Sequence, residues 1–287
     1  MTDQHGRPAL HTPSNWLHPR YTVREVLSMV LLAGMGFLAA LFGLAGWAGG
    51  LSAALRYGAG FACFFFLIVA TGVVMRGTAH RQTDIGAVTV GDGTATELRQ
   101  SRRLWVLLVA LMAACATLPL AGAVEIYLNV PSSFIPGASA VLGLFGAYCA
   151  SFLVVVAARR VRRGEIRLTP TGIFHRGWSF ESYLPWDAVA GAVDAYHGYR
   201  AILVVGYSNA VWRRRYTTRL WRIDRLPPVP LIEVDCRKFA IDEALLFHLV
   251  LYYANNPSAR TELGTAMAIE RARVGDYPSP ATGLPAL

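Results

Sequence analysis

Four long apolar stretches constrain this chain more than any other feature. They run over about residues 26–47, 57–75, 104–124 and 137–158, and none contains Asp, Glu, Lys, Arg or His between its ends; Glu125 closes the third. An α-helix of about 20 such residues crosses the hydrocarbon core of a bilayer. Composition agrees. The chain is 54% hydrophobic and 16% charged, whereas soluble domains carry roughly 25% charged residues. This balance reads as a membrane protein, neither disordered nor held together by disulfides. The first stretch begins after Arg20 and Arg24, with no short h-region and cleavage site. It therefore reads as an anchor and not a removed signal peptide.

Arginines set the expected orientation, since basic residues in short flanks stay on the cytoplasmic side. Arg7, Arg20 and Arg24 precede the first stretch. Arg76, Arg81, Arg99, Arg102 and Arg103 lie between the second and third, and Arg159, Arg160, Arg162 and Arg163 follow the fourth; the two opposite loops hold only Arg56. Both termini are expected in the cytoplasm, with residues 1–24 an N-terminal tail, 25–158 a four-helix transmembrane domain and 77–103 a cytoplasmic loop. The expected location is the inner membrane, crossed several times.

The uncharged spans argue against a pump or proton-coupled carrier, which places ionisable groups at membrane depth. Small residues recur four apart instead: Gly36 and Ala40, Ala39 and Gly43, Ala110 and Ala114, Gly143 and Ala147, Gly146 and Ala150. Such pairs let helix backbones approach closely, either within this bundle or against another membrane protein. The cysteines 63, 115, 149 and 236 form no CxxC and read as small hydrophobes. His5, His11 and His18 lie in a tail expected to be flexible and are assigned no metal.

In the 77–103 loop, Ile85–Val90 alternates weakly as a strand before the turn signal Gly91-Asp92-Gly93. Thr94 and Glu97 fit a capping box, which predicts a helix running into the third span. A phosphate loop is excluded because the Gly-Lys-Ser/Thr ending is missing. A short hairpin docking on the C-terminal domain is the expectation here.

Residues 164–275 are long enough for one further domain. Strands are predicted over 165–168, 173–176, 179–184, 189–196, 201–207, 217–223 and 229–234. Seven short strands at this spacing argue an antiparallel sandwich or barrel. Asp242 caps a helix over 243–254, which is apolar except for His248; Asn256-Pro257 opens a second, ending near Gly275. At 11 residues, the apolar run 244–254 is too short to span a bilayer and reads as a helix plugging an open barrel end. Residues 276–287, rich in Pro, Gly and Ala, are expected to be disordered.

Seven strands followed by a capping helix is the pleckstrin-homology (PH) arrangement. Arg167-Leu168-Thr169-Pro170-Thr171-Gly172-Ile173, then Leu184-Pro185-Trp186-Asp187-Ala188-Val189, resembles the opening of bacterial PH-like domains, where an L-T-x-x-G hairpin leads to a P-W-x-x-I/V strand entry. The whole chain is similar to actinobacterial membrane proteins in which helices precede such a domain, and Tyr253 to Gly264 fits that group. The resemblance implies a membrane α domain plus a cytoplasmic α+β PH-like domain, and carries over no catalytic or binding residues.

The densest charge lies in 213–225. Arg213, Arg214, Arg215, Arg219, Arg222 and Arg225 are interleaved with Trp212, Tyr216 and Trp221. A solvated hairpin is the plain reading. The functional one is a contact for anionic phospholipid or an acidic partner, made by Arg213, Arg214, Arg215, Arg219, Arg222 and Trp221. No nucleic-acid motif accompanies the charge. No HExxH, nucleophile elbow or ligand-spaced His/Cys cluster is present, so no enzyme activity, metal or cofactor is expected. The chain reads as an accessory, assembly or regulatory subunit of a larger envelope complex. Anionic-lipid sensing through 213–225 is the alternative, ahead of a transporter or a membrane-bound enzyme.

Overall fold

The computed structural model describes residues 10–16, 22–77, 85–91, 93–129 and 136–277. The chain divides into two compact units: residues 19–77 with 102–161, and residues 1–18 with 78–101 and 162–287.

The first unit consists of helices α1 (Val23–Ala48), α2 (Ser52–Arg76), α3 (Arg102–Asn129) and α4 (Pro136–Ala157). All four are long and apolar enough to cross a membrane. Thr22 starts α1 with a capping box: its hydroxyl accepts from the Glu25 amide at 3.3 Å, while the Glu25 carboxylate accepts from the Thr22 amide at 3.0 Å. The small residues do their work inside this unit. A Cβ at Gly43 would lie 2.9 Å from Gly58 Cα, so α1 and α2 meet backbone to backbone. Gly36 faces Phe65 and Phe66, Gly46 faces Ala54, and Gly146 faces Ala116 and Leu120. Arg76 pairs with Glu25 at 2.6 Å where the end of α2 meets the start of α1. At the opposite end of α2, Tyr57 donates to Glu125 at 2.6 Å.

Among the described residues the second unit has nine antiparallel strands in two sheets. β1 (Ile85–Val90), β2 (Gly93–Arg99), β3 (Glu165–Thr169), β4 (Gly172–Arg176), β5 (Phe180–Pro185) and β8 (Arg213–Tyr216) form one sheet in that order; β6 (Val189–Tyr196), β7 (Arg200–Gly206) and β9 (Leu231–Asp235) form the other. The expected seven-stranded sandwich or barrel is corrected to nine strands in two sheets that do not close into a barrel, with two of the strands supplied by the 77–103 loop. The predicted helix at Thr94 is likewise absent. Thr96 to Arg99 pair with Leu168 to Glu165, so alternation across the sheet decides the conformation. That pairing puts Leu98 beside Ile166 in the core, whereas Thr94 donates to the Leu263 carbonyl at 3.3 Å.

The core lies between the sheets and helix α5 (Glu243–Asn255), which Asp242 caps by accepting from the Leu245 amide at 2.9 Å. Residues 245–251 of α5 are all buried, so the helix has no solvated face along that run. The N-terminal segment supplies part of the cover. Trp16 is fully buried, meets Phe247 edge-on at 5.6 Å, and donates through its indole to the Ala195 carbonyl of β6 at 3.0 Å. Arg200 donates to the Trp16 carbonyl at 2.8 Å, and the His248 Nε2 lies 2.9 Å from the His11 carbonyl. Residues 10–16 are therefore part of the domain; His5 and His18 lie outside the described residues. A short α6 (Ala266–Val274) ends at Gly275, whose φ of 74° favours glycine. Tyr277, in the stretch expected to be disordered, is buried 5.5 Å from the Tyr252 ring; residues 278–287 lie outside the described residues.

Candidate functional site: the arginine edge strand

The basic run does not form a hairpin. Only Arg213–Tyr216 is a strand, added to the edge of β5 with Tyr183 opposite Arg213 and Glu181 opposite Arg215. Beyond Tyr216 the regular ladder ends. Thr217 donates to the Ser179 carbonyl at 2.9 Å, and Leu226 to the Tyr216 hydroxyl at 3.2 Å. The predicted strand over 217–223 is therefore irregular backbone.

Cross-strand register turns the outer face of the six-stranded sheet into a charge ladder. Arg99, Glu165, Arg176, Glu181 and Arg215 stand opposite one another on β2, β3, β4, β5 and β8, with alternating sign. Glu181 takes both neighbours, pairing with Arg176 and with Arg215 at 2.6 Å. In the adjacent row Glu97 accepts from Arg99 at 2.6 Å and Arg167 at 3.1 Å. Burial disfavours the Glu97 charge, but those two guanidiniums outweigh it and hold the carboxyl below its usual range. Glu165 goes the other way, with burial raising it despite Arg167 at 2.7 Å. Burial also lowers Arg176.

The ladder ends in excess positive charge. Arg213 lies over the Tyr183 ring at 5.4 Å, and Arg214 lies over Trp212 at 4.9 Å while donating to the Pro227 carbonyl at 2.7 Å. Neither has a carboxylate partner among the described residues. Phe174, Tyr183, Trp212 and the three arginines line an open pocket of about 700 Å³. A guanidinium held flat on an aromatic ring keeps its donors free at the edge, the form in which arginine grips phosphate.

Of the residues singled out in the sequence, Arg213, Arg214 and Arg215 are brought together here. Arg222 stacks on Tyr216 at 4.7 Å at the end of the same strand. Arg219 is exposed and Trp221 half-buried on the irregular stretch, and neither lines the pocket. Phe174, Glu181 and Tyr183 complete the site. Nothing local in the sequence marks them, because only the pairing of β8 with β5 brings them to the arginines. Among the described residues no group of His, Cys, Asp and Glu could hold a metal ion. No family model, curated protein or solved structure matches this chain.

Proposed function

We propose that this protein is a non-enzymatic multi-pass membrane protein of the inner membrane, with both termini in the cytoplasm and a PH-like cytoplasmic domain that binds an anionic lipid headgroup at the arginine strand. The observation that carries this reading is the pair Arg213 and Arg214, stacked on aromatic rings and without carboxylate partners among the described residues. Exposed Val211 and Leu220 on the flanking irregular stretches suit the apolar side of such a contact. Each arginine near an anionic surface gains roughly 1 kcal/mol, so Arg213→Ala with Arg214→Ala should cost about 2 kcal/mol, near thirtyfold. Native mass spectrometry of the delipidated full-length protein with dioctanoyl-phosphatidylglycerol measures this, and retention should fall with added salt. Equal retention by the double variant and the wild type would refute it.

A second reading keeps the domain as an accessory, assembly or regulatory subunit of a larger envelope complex. It is favoured by exposed Val211, Leu220 and Val229, which offer an apolar surface outside the membrane helices. The small-residue faces give it less support, because Gly36, Gly43, Gly46 and Gly146 are occupied by contacts within the helical unit. Co-purification of a stoichiometric membrane partner from native membranes in mild detergent is the outcome it requires.

A further inference from the structure

The arginine strand fixes more than the sign of its ligand. Successive side chains leave a strand on opposite faces, so Arg213 and Arg215 share one face of β8 and Arg214 takes the other. β8 stands last in its sheet. Both faces open past its edge onto the same pocket, which Arg213 and Arg214 line together with Tyr183 and Trp212. Each of these guanidiniums is seated on its own ring, Arg213 over Tyr183 and Arg214 over Trp212. Two forks are thereby held at separate points of one pocket, which they approach from two sides.

Glu181 is the acidic group in the lining, and it does not oppose an anion there. Its carboxylate bridges the buried Arg176 and Arg215, the latter at 2.6 Å, so one negative charge is set against two positive ones. Arg215 is committed by that pairing. Arg213 and Arg214 remain the two guanidiniums of the lining without a carboxylate partner among the described residues.

Two forks and two uncompensated charges select among phosphates. A phosphomonoester carries about two negative charges near pH 7 and three terminal oxygens. A phosphodiester carries a single charge on a pair of terminal oxygens, and it turns an ester substituent towards any second fork. Arginine takes phosphate through two parallel N–H···O bonds. A diester therefore serves one fork fully, whereas a monoester serves both by sharing an oxygen. The pocket of about 700 Å³ is far larger than a phosphate group and lies within the ~300–1,000 Å³ of small-molecule sites, which leaves room for a glycerol backbone. Val211, next to Trp212 in the chain, is almost fully exposed and offers apolar surface for the acyl chains that follow. Resting on the reading that this strand binds an anionic lipid, we infer that the headgroup is a phosphomonoester of the phosphatidate type and not a phosphodiester.

Native mass spectrometry of the delipidated full-length protein tests this with dioctanoyl-phosphatidate, its phosphomethyl ester and glycerol 3-phosphate. The two lipids differ by one methyl group, which blocks the third oxygen and removes one charge. Phosphatidate should be held about tenfold or more over the methyl ester. Arg213→Ala or Arg214→Ala, each leaving one fork, should bring that ratio to within about threefold. Arg219→Ala removes the same charge from an exposed position outside the pocket and should keep the ratio. Retention of neither lipid would remove lipid binding at this strand altogether, whereas equal retention of both would leave that reading standing and overturn the phosphomonoester. The inference also falls if Arg219→Ala lowers the ratio as far as the pocket variants do, because net charge and not the forks would then set it. Glycerol 3-phosphate held as tightly as phosphatidate would overturn a lipid as the carrier of the group.

Discussion

Replacing Trp16 by alanine tests whether the N-terminal segment belongs to the second unit. The ring is fully buried against Phe247 and its indole donates to the Ala195 carbonyl. Truncating a buried tryptophan costs roughly 3–5 kcal/mol, a range that includes the ~1 kcal/mol of a net hydrogen bond. With a urea dependence of about 2 kcal/mol per M for a domain of this size, the unfolding midpoint should fall by roughly 2 M. Pulse proteolysis of the full-length protein in lipid nanodiscs, followed by the loss of the intact second unit, reads that midpoint. Trp16→Phe keeps a ring beside Phe247 and removes only the indole donor, so it should lose about 0.5 M. A Trp16→Ala midpoint within about 0.3 M of wild type would show that residues 10–16 do not hold this domain together.

Other outcomes follow from the same packing. Burial depresses the His175 pKa from 6.5 to about 4, so between these values the unfolded chain binds a proton that the folded one excludes. Stability should be full above pH 6.5 and fall by up to about 3 kcal/mol as the pH drops towards 4; His175→Phe should flatten that part of a denaturation-versus-pH profile. Lys238→Met leaves the buried Asp224 without its cation and should cost roughly 3–5 kcal/mol, with Asp224→Asn in the same chain recovering part of the loss in chemical denaturation. Gly58→Ala drives a Cβ into the α1 backbone and should lower the detergent thermal midpoint by several degrees, whereas a Cβ at Gly34 meets nothing within 4 Å and Gly34→Ala should be silent.

Features that depend on a repeating local pattern were legible in the sequence. The four helices follow from uninterrupted apolar runs, and α5 from Asp242 ahead of an apolar stretch. Features decided by distant partners were not. Thr94-x-x-Glu97 satisfies a helix-start pattern as well as a strand, and only the pairing of Glu97 with Arg167 selects the strand. Thr217 to Ile223 alternates like a strand, yet the one place on β5 is taken by Arg213–Tyr216. The arginine site was half visible. Its cations stand together in the chain, while Tyr183 and Glu181 come from about 30 residues earlier.

The chain passes between its two units at residues 18–19, 77–78, 101–102 and 161–162, and this governs the order in which the protein can be made. Strand β2 leaves the ribosome before α3 and α4, while its partner β3 follows them. Trp16 emerges first of all, but its pocket waits for β6 and α5. The early pieces cannot meet these later partners until all four helices have been made, so the second unit closes only after the whole helical unit is synthesised. A fragment beginning at Gly164 would lack two strands and the Trp16 cover, leaving an open sheet edge that invites aggregation.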